Sequence, residues 1–436
     1  MATRARETGL KHDVRMRGFA ERVDVEEVLA YLGAHATSLA AEPVPLLECV
    51  GRVLAEDVVA AVDVPGFARS AMDGYAVRGE ETFGASAYDA IALRVVGTSL
   101  PGAPHAGALG AGEAVRIMTG APLPEAADAV VKAEVCEEAD GRVRIHEAVA
   151  PRKNVGAVGE DIRRGDTVLR AGRRLRPQDA GLLSSIGQAE VPCVRAPRVR
   201  LVVTGDELLE AGSMPGGARI VDSNSVVLRG LVARDGGRCL PFEILPDDPE
   251  KIRDAMADAD ADVVLVSGGT SVGQEDHAPR LLSELGELRF HGISMRPSSP
   301  TGIGRIDARF VFLLPGNPVS CLSAYEFFAG PTIRALGGRP RRWPHRRALV
   351  PLARKIASEV GRTDYVRVAI EDGRAVPLAT SGASILSSTV RAAGAVVVPR
   401  EREGMPEGAR VEVLLYDDEA ADDEPIRPGE WGRGAS

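Results

Sequence analysis

The chain has 436 residues, 44% of them hydrophobic and 26% charged, a globular composition that is too long for one core. Its net charge of −9 argues against nucleic-acid binding, and no stretch approaches the roughly 20 apolar residues of a membrane-spanning helix. The five cysteines are widely spaced, which predicts neither a disulfide framework nor a CxxC metal site and favours a cytoplasmic location.

The first half of the chain divides by its apolar pattern. Residues 1–24 are predicted to be a disordered basic arm, and residues 25–62 begin with apolar positions at helical spacing from Val25 to His35. Residues 63–162 alternate short apolar strands with Gly and Pro, which predicts a β-rich domain. Residues 163–194 then hold a turn, a helix and a strand, and they are grouped with residues 25–62 as one domain.

The second half of the chain shows a different order of elements. Strand and helix patterns alternate over residues 195–341, which predicts a doubly wound parallel sheet. Residues 342–416 return to short strands, which predicts a small terminal β domain. Residues 417–436 are acidic and rich in Gly and Pro, and are predicted to be a disordered tail.

Three apolar strands of the α/β region each end in a loop of small and polar residues. These loops are Thr204-Gly205-Asp206-Glu207-Leu208, Ser267-Gly268-Gly269-Thr270-Ser271-Val272-Gly273 and Pro315-Gly316-Asn317-Pro318-Val319-Ser320. Ligands of open α/β sheets bind at the carboxyl ends of strands, and glycines there let backbone N–H groups approach an oxyanion. Any one loop is also compatible with an ordinary turn. None has the order of a Walker A or dinucleotide-binding motif, which disfavours those classes.

Six motifs occur in an order typical of one family. They are Ser70-Ala71-Met72-Asp73-Gly74-Tyr75-Ala76, Met118-Thr119-Gly120-Ala121-Pro122, Gly159-Glu160-Asp161-Ile162-Arg163, Thr204 to Leu208, Ser267 to Gly273, and Leu314 to Ser320. By these motifs the chain resembles the molybdopterin molybdenumtransferase family, to which the carboxyl-terminal domain of gephyrin is related. The resemblance extends over about residues 24–416.

The resemblance implies an activity and an architecture. It implies insertion of molybdate into adenylyl-molybdopterin with release of AMP and dependence on Mg²⁺. It also implies a homodimer of elongated four-domain subunits, each with a linker domain, a β-rich lid, a pterin-binding α/β domain and a terminal β-barrel. The active site would lie in a cleft between subunits, and the upstream molybdopterin adenylyltransferase is a candidate partner. Neither nucleic acid nor membrane is expected as a partner.

The resemblance also implies roles for individual residues. The catalytic candidates are Asp73, Thr119, Asp161, Glu207, Asp247 and Asp276, and the metal candidates are Glu207 and Asp276. The pterin-binding candidates are Ser267, Gly268, Gly269, Thr270, Ser271, Gly273, Pro315, Gly316, Asn317 and Pro318. The molybdate-binding candidates are Arg296, Ser299, Pro300, Ser320, Arg362 and Ser384. Asp206 and Asp248 stand beside two of these acids and are given no role. For each acid the competing interpretation is a solvated surface carboxylate.

The segment from Met295 to Pro300 departs from the family pattern of two lysines around Pro-Gly. Arg296 keeps the first charge, whereas Ser299 stands where the second lysine is expected. Because arginine makes bidentate oxyanion contacts and lysine acts as a point charge, we expect an active enzyme with a retuned anion site. A pterin-binding scaffold without turnover and a tungstate-handling enzyme remain as alternatives.

Overall fold

The structure is a computed structural model that describes residues 22–269, 277–379 and 384–416. These residues form two units. The inserted unit contains Pro43–Cys193, and the main unit contains the chain up to Glu42 and from Val194 onward. Within the described ranges, every helix is too short or too polar to cross a membrane.

The first helix, α1 (Val25–His35), has the predicted bounds. Val25, Val28 and Leu32 lie on one face and are buried, because they recur at three- and four-residue spacing. This face packs in the same core as strands of the α/β region. The domain boundaries remain predictions, but α1, which was grouped with the linker domain, belongs to the main unit.

The inserted unit is mainly β structure. After β1 (Ala41–Pro45), which spans the boundary between the units, its elements are β2 (Val58–Val59), β3 (Arg69–Ser70), β4 (Gly74–Val77), β5 (Ile91–Ser99), β6 (Glu113–Ile117), β7 (Ala129–Lys132), β8 (Cys136–Ala139), β9 (Arg142–Ile145), β10 (Val155–Gly156), β11 (Thr167–Leu169), α2 (Pro177–Ser185) and β12 (Glu190–Val194). Six of the strands form one sheet in the order β7-β4-β6-β5-β9-β8. In β9, Val143 and Ile145 are buried while Arg142 and Arg144 are exposed, the alternation expected of a strand with one face on a core.

The α/β region of the main unit contains most of its helices. Its elements are β13 (Arg198–Thr204), β14 (Leu208–Leu209), β15 (Ile220–Val221), α3 (Asn224–Arg234), β16 (Arg238–Cys239), β17 (Ile244–Leu245), α4 (Pro249–Met256), β18 (Val263–Ser267), α5 (Ala278–Leu285), β19 (Glu287–His291), β20 (Met295–Arg296), β21 (Gly302–Ile306), β22 (Arg309–Leu314), α6 (Pro318–Ala324) and α7 (Gly330–Leu336). A π-helical turn (Tyr325–Ala329) separates α6 from α7.

The central sheet is buried on both faces, as expected for a doubly wound fold. Its order is β16-β13-β18-β22-β21-β19, with β17 also paired to β13. Along β18, Val263 and Leu265 join one apolar core, and Val264 and Val266 join the other. A strand covered on both sides needs apolar residues at every position, which explains its continuous valine-rich sequence.

The prediction of a parallel sheet is correct only for the centre and one edge. β13, β18 and β22 are parallel, but β21 pairs antiparallel with β22, and β19 pairs antiparallel with β21. The short connection from Ile306 to Arg309 explains the difference. Two residues are enough for a hairpin but not for the crossover that a parallel pair requires.

The last part of the main unit is a second sheet. Its elements are β23 (Arg347–Pro351), β24 (Ile356–Ala357), β25 (Thr363–Glu371), β26 (Arg374–Ala379), α8 (Ser387–Val390), β27 (Gly394–Val398), β28 (Gly404–Met405) and β29 (Arg410–Leu415). The strand order is β20-β25-β27-β29-β23, with β26 also paired to β25. The short strand β20 comes from the α/β segment, so the two regions are joined by backbone hydrogen bonds. Closure of this sheet into a barrel stays a prediction.

A buried charge network lies in the main unit. Glu326, 2% exposed, accepts hydrogen bonds from Arg234 Nη1 at 2.6 Å and Nη2 at 3.0 Å, and its Oε2 lies 3.4 Å from His345 Nε2. Asp235 is fully buried and pairs with Arg334 at 2.8 Å. Burial alone would raise the pKa of Glu326, but His345 and Arg234 outweigh it and lower the pKa to about 2.

We expect Glu326→Gln to lower the free energy of unfolding by roughly 3 kcal/mol at pH 7, because the partly buried guanidinium of Arg234 loses a charged partner. The stabilisation from a lowered carboxyl pKa is present above its ordinary value of 4.5 and is lost as pH falls through about 2. The difference between variant and parent should therefore shrink between pH 4.5 and pH 2. Urea unfolding followed by circular dichroism at several pH values measures this difference.

The control for this experiment is Glu412→Gln, which removes an exposed ion pair with Arg347. Exposed pairs contribute about 0–1 kcal/mol, so this variant should unfold like the parent. An undiminished loss for Glu326→Gln at low pH would contradict the assigned pKa.

Candidate functional site

The ends of three neighbouring parallel strands meet at one edge of the central sheet. Asn224, the first residue of α3, joins two of them, since its Nδ2 donates to Ser267 Oγ at 2.9 Å and to Gly316 O at 2.8 Å. Ser267 ends β18, and Gly316 follows β22. Two of the three predicted loops are thus hydrogen-bonded to the same side chain.

Gly268 brings the third strand end into this group. Its φ is +103°, and a Cβ there would lie 2.3 Å from the carbonyl oxygen of Thr204, the last residue of β13. Glycine is therefore required both by the backbone conformation and by the close approach. Thr204 Oγ1 is buried and has no hydrogen-bond partner among the described residues.

Cys321 lies behind this edge and does not have the properties of a nucleophile. Burial raises the pKa of its thiol to about 12, with a smaller opposing effect from a hydrogen bond with Ser267. Reactive cysteines have a lowered pKa and are accessible. The thiol therefore packs as a small apolar group.

Acidic side chains surround the outer end of β13. The N–H of Asp206 donates to Asp247 Oδ2 at 3.4 Å, and the N–H of Asp247 donates to Asp206 Oδ1 at 3.3 Å. Glu207 is exposed beside this pair. Asp248 has a different role, because its carboxylate caps α4 by accepting from the N–H of Glu250 at 2.9 Å.

These acids provide oxygen ligands of the kind that Mg²⁺ prefers. The described residues contain no group of three His, Cys, Asp or Glu side chains that is arranged to hold a metal by itself. Mg²⁺ commonly uses one or two carboxylates together with substrate phosphates and water. The acids at β13 therefore fit a metal that is shared with a substrate.

Part of the predicted pterin and metal set lies outside the described residues. These residues are Thr270, Ser271, Gly273 and Asp276. Gly269, Pro315, Asn317 and Pro318 lie within the described ranges on the loops at the same sheet edge, and Asn317 precedes the first turn of α6.

Two of the predicted molybdate residues, Arg296 and Arg362, share one carboxylate. Arg296 Nη2 donates to Asp364 Oδ2, and Arg362 Nε donates to Asp364 Oδ1 at 2.8 Å. Ser298 Oγ donates to the carbonyl of Ser320 at 2.6 Å, which ties the loop after Arg296 to α6. The segment that carries Arg296 is thus hydrogen-bonded both to Asp364 and to α6.

The other predicted molybdate residues are less closely tied to this carboxylate. Ser299 Oγ is buried with no hydrogen-bond partner among the described residues, and Pro300 follows it in the same loop. Ser384 is exposed in a turn, where its carbonyl accepts from the N–H of Leu386. Its assignment remains a prediction.

In the inserted unit, Asp73 and Thr119 are paired. Asp73 Oδ1 accepts from the N–H and from the hydroxyl of Thr119, both at 2.7 Å. The backbone hydrogen bond from Thr119, followed by its hydroxyl, lowers the pKa of Asp73, so this exposed carboxylate is ionised at neutral pH. Asp161 is also exposed, and its N–H donates to the carbonyl of Val64 at 3.0 Å.

Three family models match the chain. They are described as "MoeA N-terminal region (domain I and II)" over residues 23–187, "Probable molybdopterin binding domain" over residues 200–335, and "MoeA C-terminal region (domain IV)" over residues 350–416. The chain belongs to the molybdopterin molybdenumtransferase family. The resemblance stated from the motifs is thereby confirmed, and with it the assignment to an enzyme family of molybdenum cofactor biosynthesis.

Individual relatives agree over nearly the whole chain. A molybdopterin molybdenumtransferase of Haemophilus influenzae is 34% identical over 379 residues, covering 84% of this chain and 92% of the relative. One from Staphylococcus aureus is 30% identical over 417 residues, covering 92% and 97%. The crystal structure of a molybdopterin biosynthesis moeA protein from Pyrococcus horikoshii covers 91% of this chain and 100% of its own, with a TM-score of 0.77 and 35% identity. The multidomain α/β and β architecture is thus confirmed.

Sequence reasoning missed three residues of this site. Asn224 stands in the polar run from Asp222 to Ser225, which reads as a helix start, and only the fold shows that it reaches two other loops. Asp206 was set aside as a neighbour of Glu207, yet its carboxylate faces Asp247. Asp364 follows the candidate Arg362 by two residues, in a segment whose apolar pattern predicts a strand. An acid beside a candidate residue was the available signal for Asp206 and Asp364, whereas no motif named above adjoins Asn224.

We expect Gly268→Ala to abolish pterin binding, because the new Cβ collides with a backbone carbonyl that cannot move without distorting β13. The control is Gly408→Ala, which has a φ of +76° but nothing within 4 Å of the added Cβ. The control carries only the strain of the left-handed conformation, about 1–2 kcal/mol, and should bind normally. Fluorescence titration with molybdopterin measures both, and equal loss in the two variants would contradict the steric argument.

Proposed function

We propose that the chain inserts molybdate into adenylyl-molybdopterin and releases AMP, completing molybdenum cofactor. The observation that carries this proposal is the linkage of an arginine pair to the pterin-site loops. Arg296 and Arg362 share one carboxylate, and the Ser298–Ser320 hydrogen bond connects their loop to α6, which begins just after Gly316. A pair of arginines that offers donors to a dianion is therefore connected to a glycine-lined site for a phosphate-bearing pterin.

Different groups of the main unit are proposed to bind the pterin phosphate and the molybdate. The backbone of Gly268 and Gly269 is accessible to the terminal phosphate of the pterin, and Asn224 holds the two loops at a fixed separation. The guanidiniums of Arg296 and Arg362 offer N–H donors to molybdate oxygens. Binding the pterin substrate and molybdate in a fixed relative orientation lowers the entropic cost of their reaction.

The acids Glu207 and Asp247, together with Asp206, are the described residues that would hold Mg²⁺, and Asp276 completes the proposed set. When bound, Mg²⁺ neutralises charge on the pyrophosphate that is cleaved. The acids themselves repel the substrate's phosphates, so their placement at the mouth of the site favours binding of substrate and cation together.

The remaining parts of the proposal follow from the family. We infer a homodimer in which the inserted unit acts as a lid and contributes Asp73, Thr119 and Asp161 to a cleft between subunits. The ionised state of Asp73 supports a role in contacting a cation or a donor group there. An upstream adenylyltransferase must supply the adenylylated substrate. Cys49 and Cys321 are buried and form no disulfide among the described residues, which suits a reducing cytoplasm.

The purified chain with adenylyl-molybdopterin, molybdate and Mg²⁺ is expected to release AMP and to gain molybdenum in equal amounts. Asp247→Asn and Arg362→Ala should each lower the rate by at least tenfold, whereas Glu412→Gln should not change it. Chromatography of AMP and elemental analysis of the pterin product measure the reaction. Chelation of the cation by EDTA should stop it.

Each alternative gives a different result in the same assay. Pterin binding without AMP release at any molybdate concentration would indicate a scaffold and overturn the proposal. Turnover with tungstate but not with molybdate would indicate a tungstate enzyme.

Ser299→Lys is expected to lower the KM for molybdate about fivefold, because an added cation near a dianion contributes about 1 kcal/mol even with full solvent screening. Ser299→Met is the matched control, since it adds comparable length without charge. The KM should stay unchanged or rise in the control. An equal KM for the lysine and methionine variants would count against a retuned anion site.

A further inference from the structure

Asp364 lies beneath the two arginines of the anion site and has no access to solvent. It is fully buried, whereas the side chains of Arg296 and Arg362 are 33% and 19% exposed. Its two carboxylate oxygens are divided, one to each guanidinium. A single buried anion therefore fixes two partly exposed cations side by side.

The position of Asp364 is set by the backbone. β20 and β25 pair in parallel with Arg296 opposite Asp364, so the arginine and its acid are registered partners across the sheet. Arg362 precedes Asp364 by two residues in the same segment, just before β25 begins. The contact joins residues that are 68 positions apart in the sequence.

The arginine pair retains donors that the protein does not use. Arg362 Nη2 is buried and has no hydrogen-bond partner among the described residues. Ser299 Oγ, in the loop after Arg296, is also buried and without a partner among them. Buried donors are nearly always satisfied, so unsatisfied ones at a cationic site indicate a ligand. The arrangement fits an oxyanion with several acceptor oxygens.

A second acid contacts Arg362 from the solvent side. Glu359 accepts from Arg362 Nη1 at 2.9 Å and is 72% exposed. Two carboxylates thus face two guanidiniums, so their formal charges cancel. A dianion gains little from a neutral cluster unless one acid withdraws, and the exposed acid is the one that is free to do so.

We propose that Asp364 is the positioning residue of the anion site and that Glu359 competes with the oxyanion for Arg362. The inference rests on the proposed function for the identity of the oxyanion, a tetrahedral dianion such as molybdate. Asp364 does not touch the anion. It orients the guanidiniums so that their outer N–H groups point to one place. A lysine at position 296 would not need such an acid, because an ammonium group has no plane to orient.

Substitution of the two acids is expected to change the KM for molybdate in opposite directions. Asp364→Asn keeps the size of the side chain but turns an NH₂ group toward one guanidinium, so the KM for molybdate should rise at least tenfold while kcat falls less than threefold. Asp364→Glu should recover part of the loss. Glu359→Gln should lower the KM by about threefold. A purely electrostatic effect of removing negative charge would instead lower the KM in both asparagine and glutamine variants, and would overturn the proposal.

Direct binding separates this proposal from the proposed function. Equilibrium dialysis of the full-length protein with molybdate alone, and with tungstate alone, should show weaker binding for Asp364→Asn and tighter binding for Glu359→Gln. Thermal unfolding confirms that each variant is folded, and Asp364→Glu supplies the test if Asp364→Asn is not. Opposite shifts in binding support the positioning role even if the protein releases no AMP, and unchanged binding in both variants overturns it even if the protein is active.

Discussion

The parallel register of β13, β18 and β22 is the constraint on which the site depends. Val203 is paired with Ser267, and Ser267 with Leu314, so the three strands end at the same level. The residues just before that level are apolar and buried in each strand, namely Leu201 to Val203, Val263 to Val266 and Phe310 to Leu314. Small and polar residues follow, because burial on two faces stops there. The loops are consequently brought together by the core, and Asn224 and Gly268 adjust their spacing at the edge.

Charge is distributed in the main unit according to burial. The buried acids Asp235, Glu326 and Asp364 each contact arginines, since an unpaired buried charge is strongly unfavourable. The acids Asp206 and Glu207 at the sheet edge are exposed and have no arginine within pairing distance among the described residues. The first group fixes positions of cations, whereas the second is available to a metal and a substrate.

The proposed anion site combines residues from the α/β region and from the terminal sheet. The segment after β19 leaves the central sheet, adds β20 to the terminal sheet and returns as β21. Arg296 in this segment pairs with Asp364 of β25, and Ser298 donates to the carbonyl of Ser320 in α6. This segment therefore connects the proposed oxyanion donors to α6 of the α/β region without a separate binding domain.

Local sequence patterns were sufficient for most elements. The helical spacing of α1, the apolar runs of β13, β18 and β22, and the glycine-rich loops after them are properties of neighbouring residues, and each was predicted within a few positions. The six motifs were also sufficient for the family. Contacts between distant residues were decided only by the tertiary structure, because no local pattern records which strands become neighbours. The antiparallel edge, the pairing of Arg296 with Asp364 across 68 positions, and the reach of Asn224 to two loops all depend on such contacts.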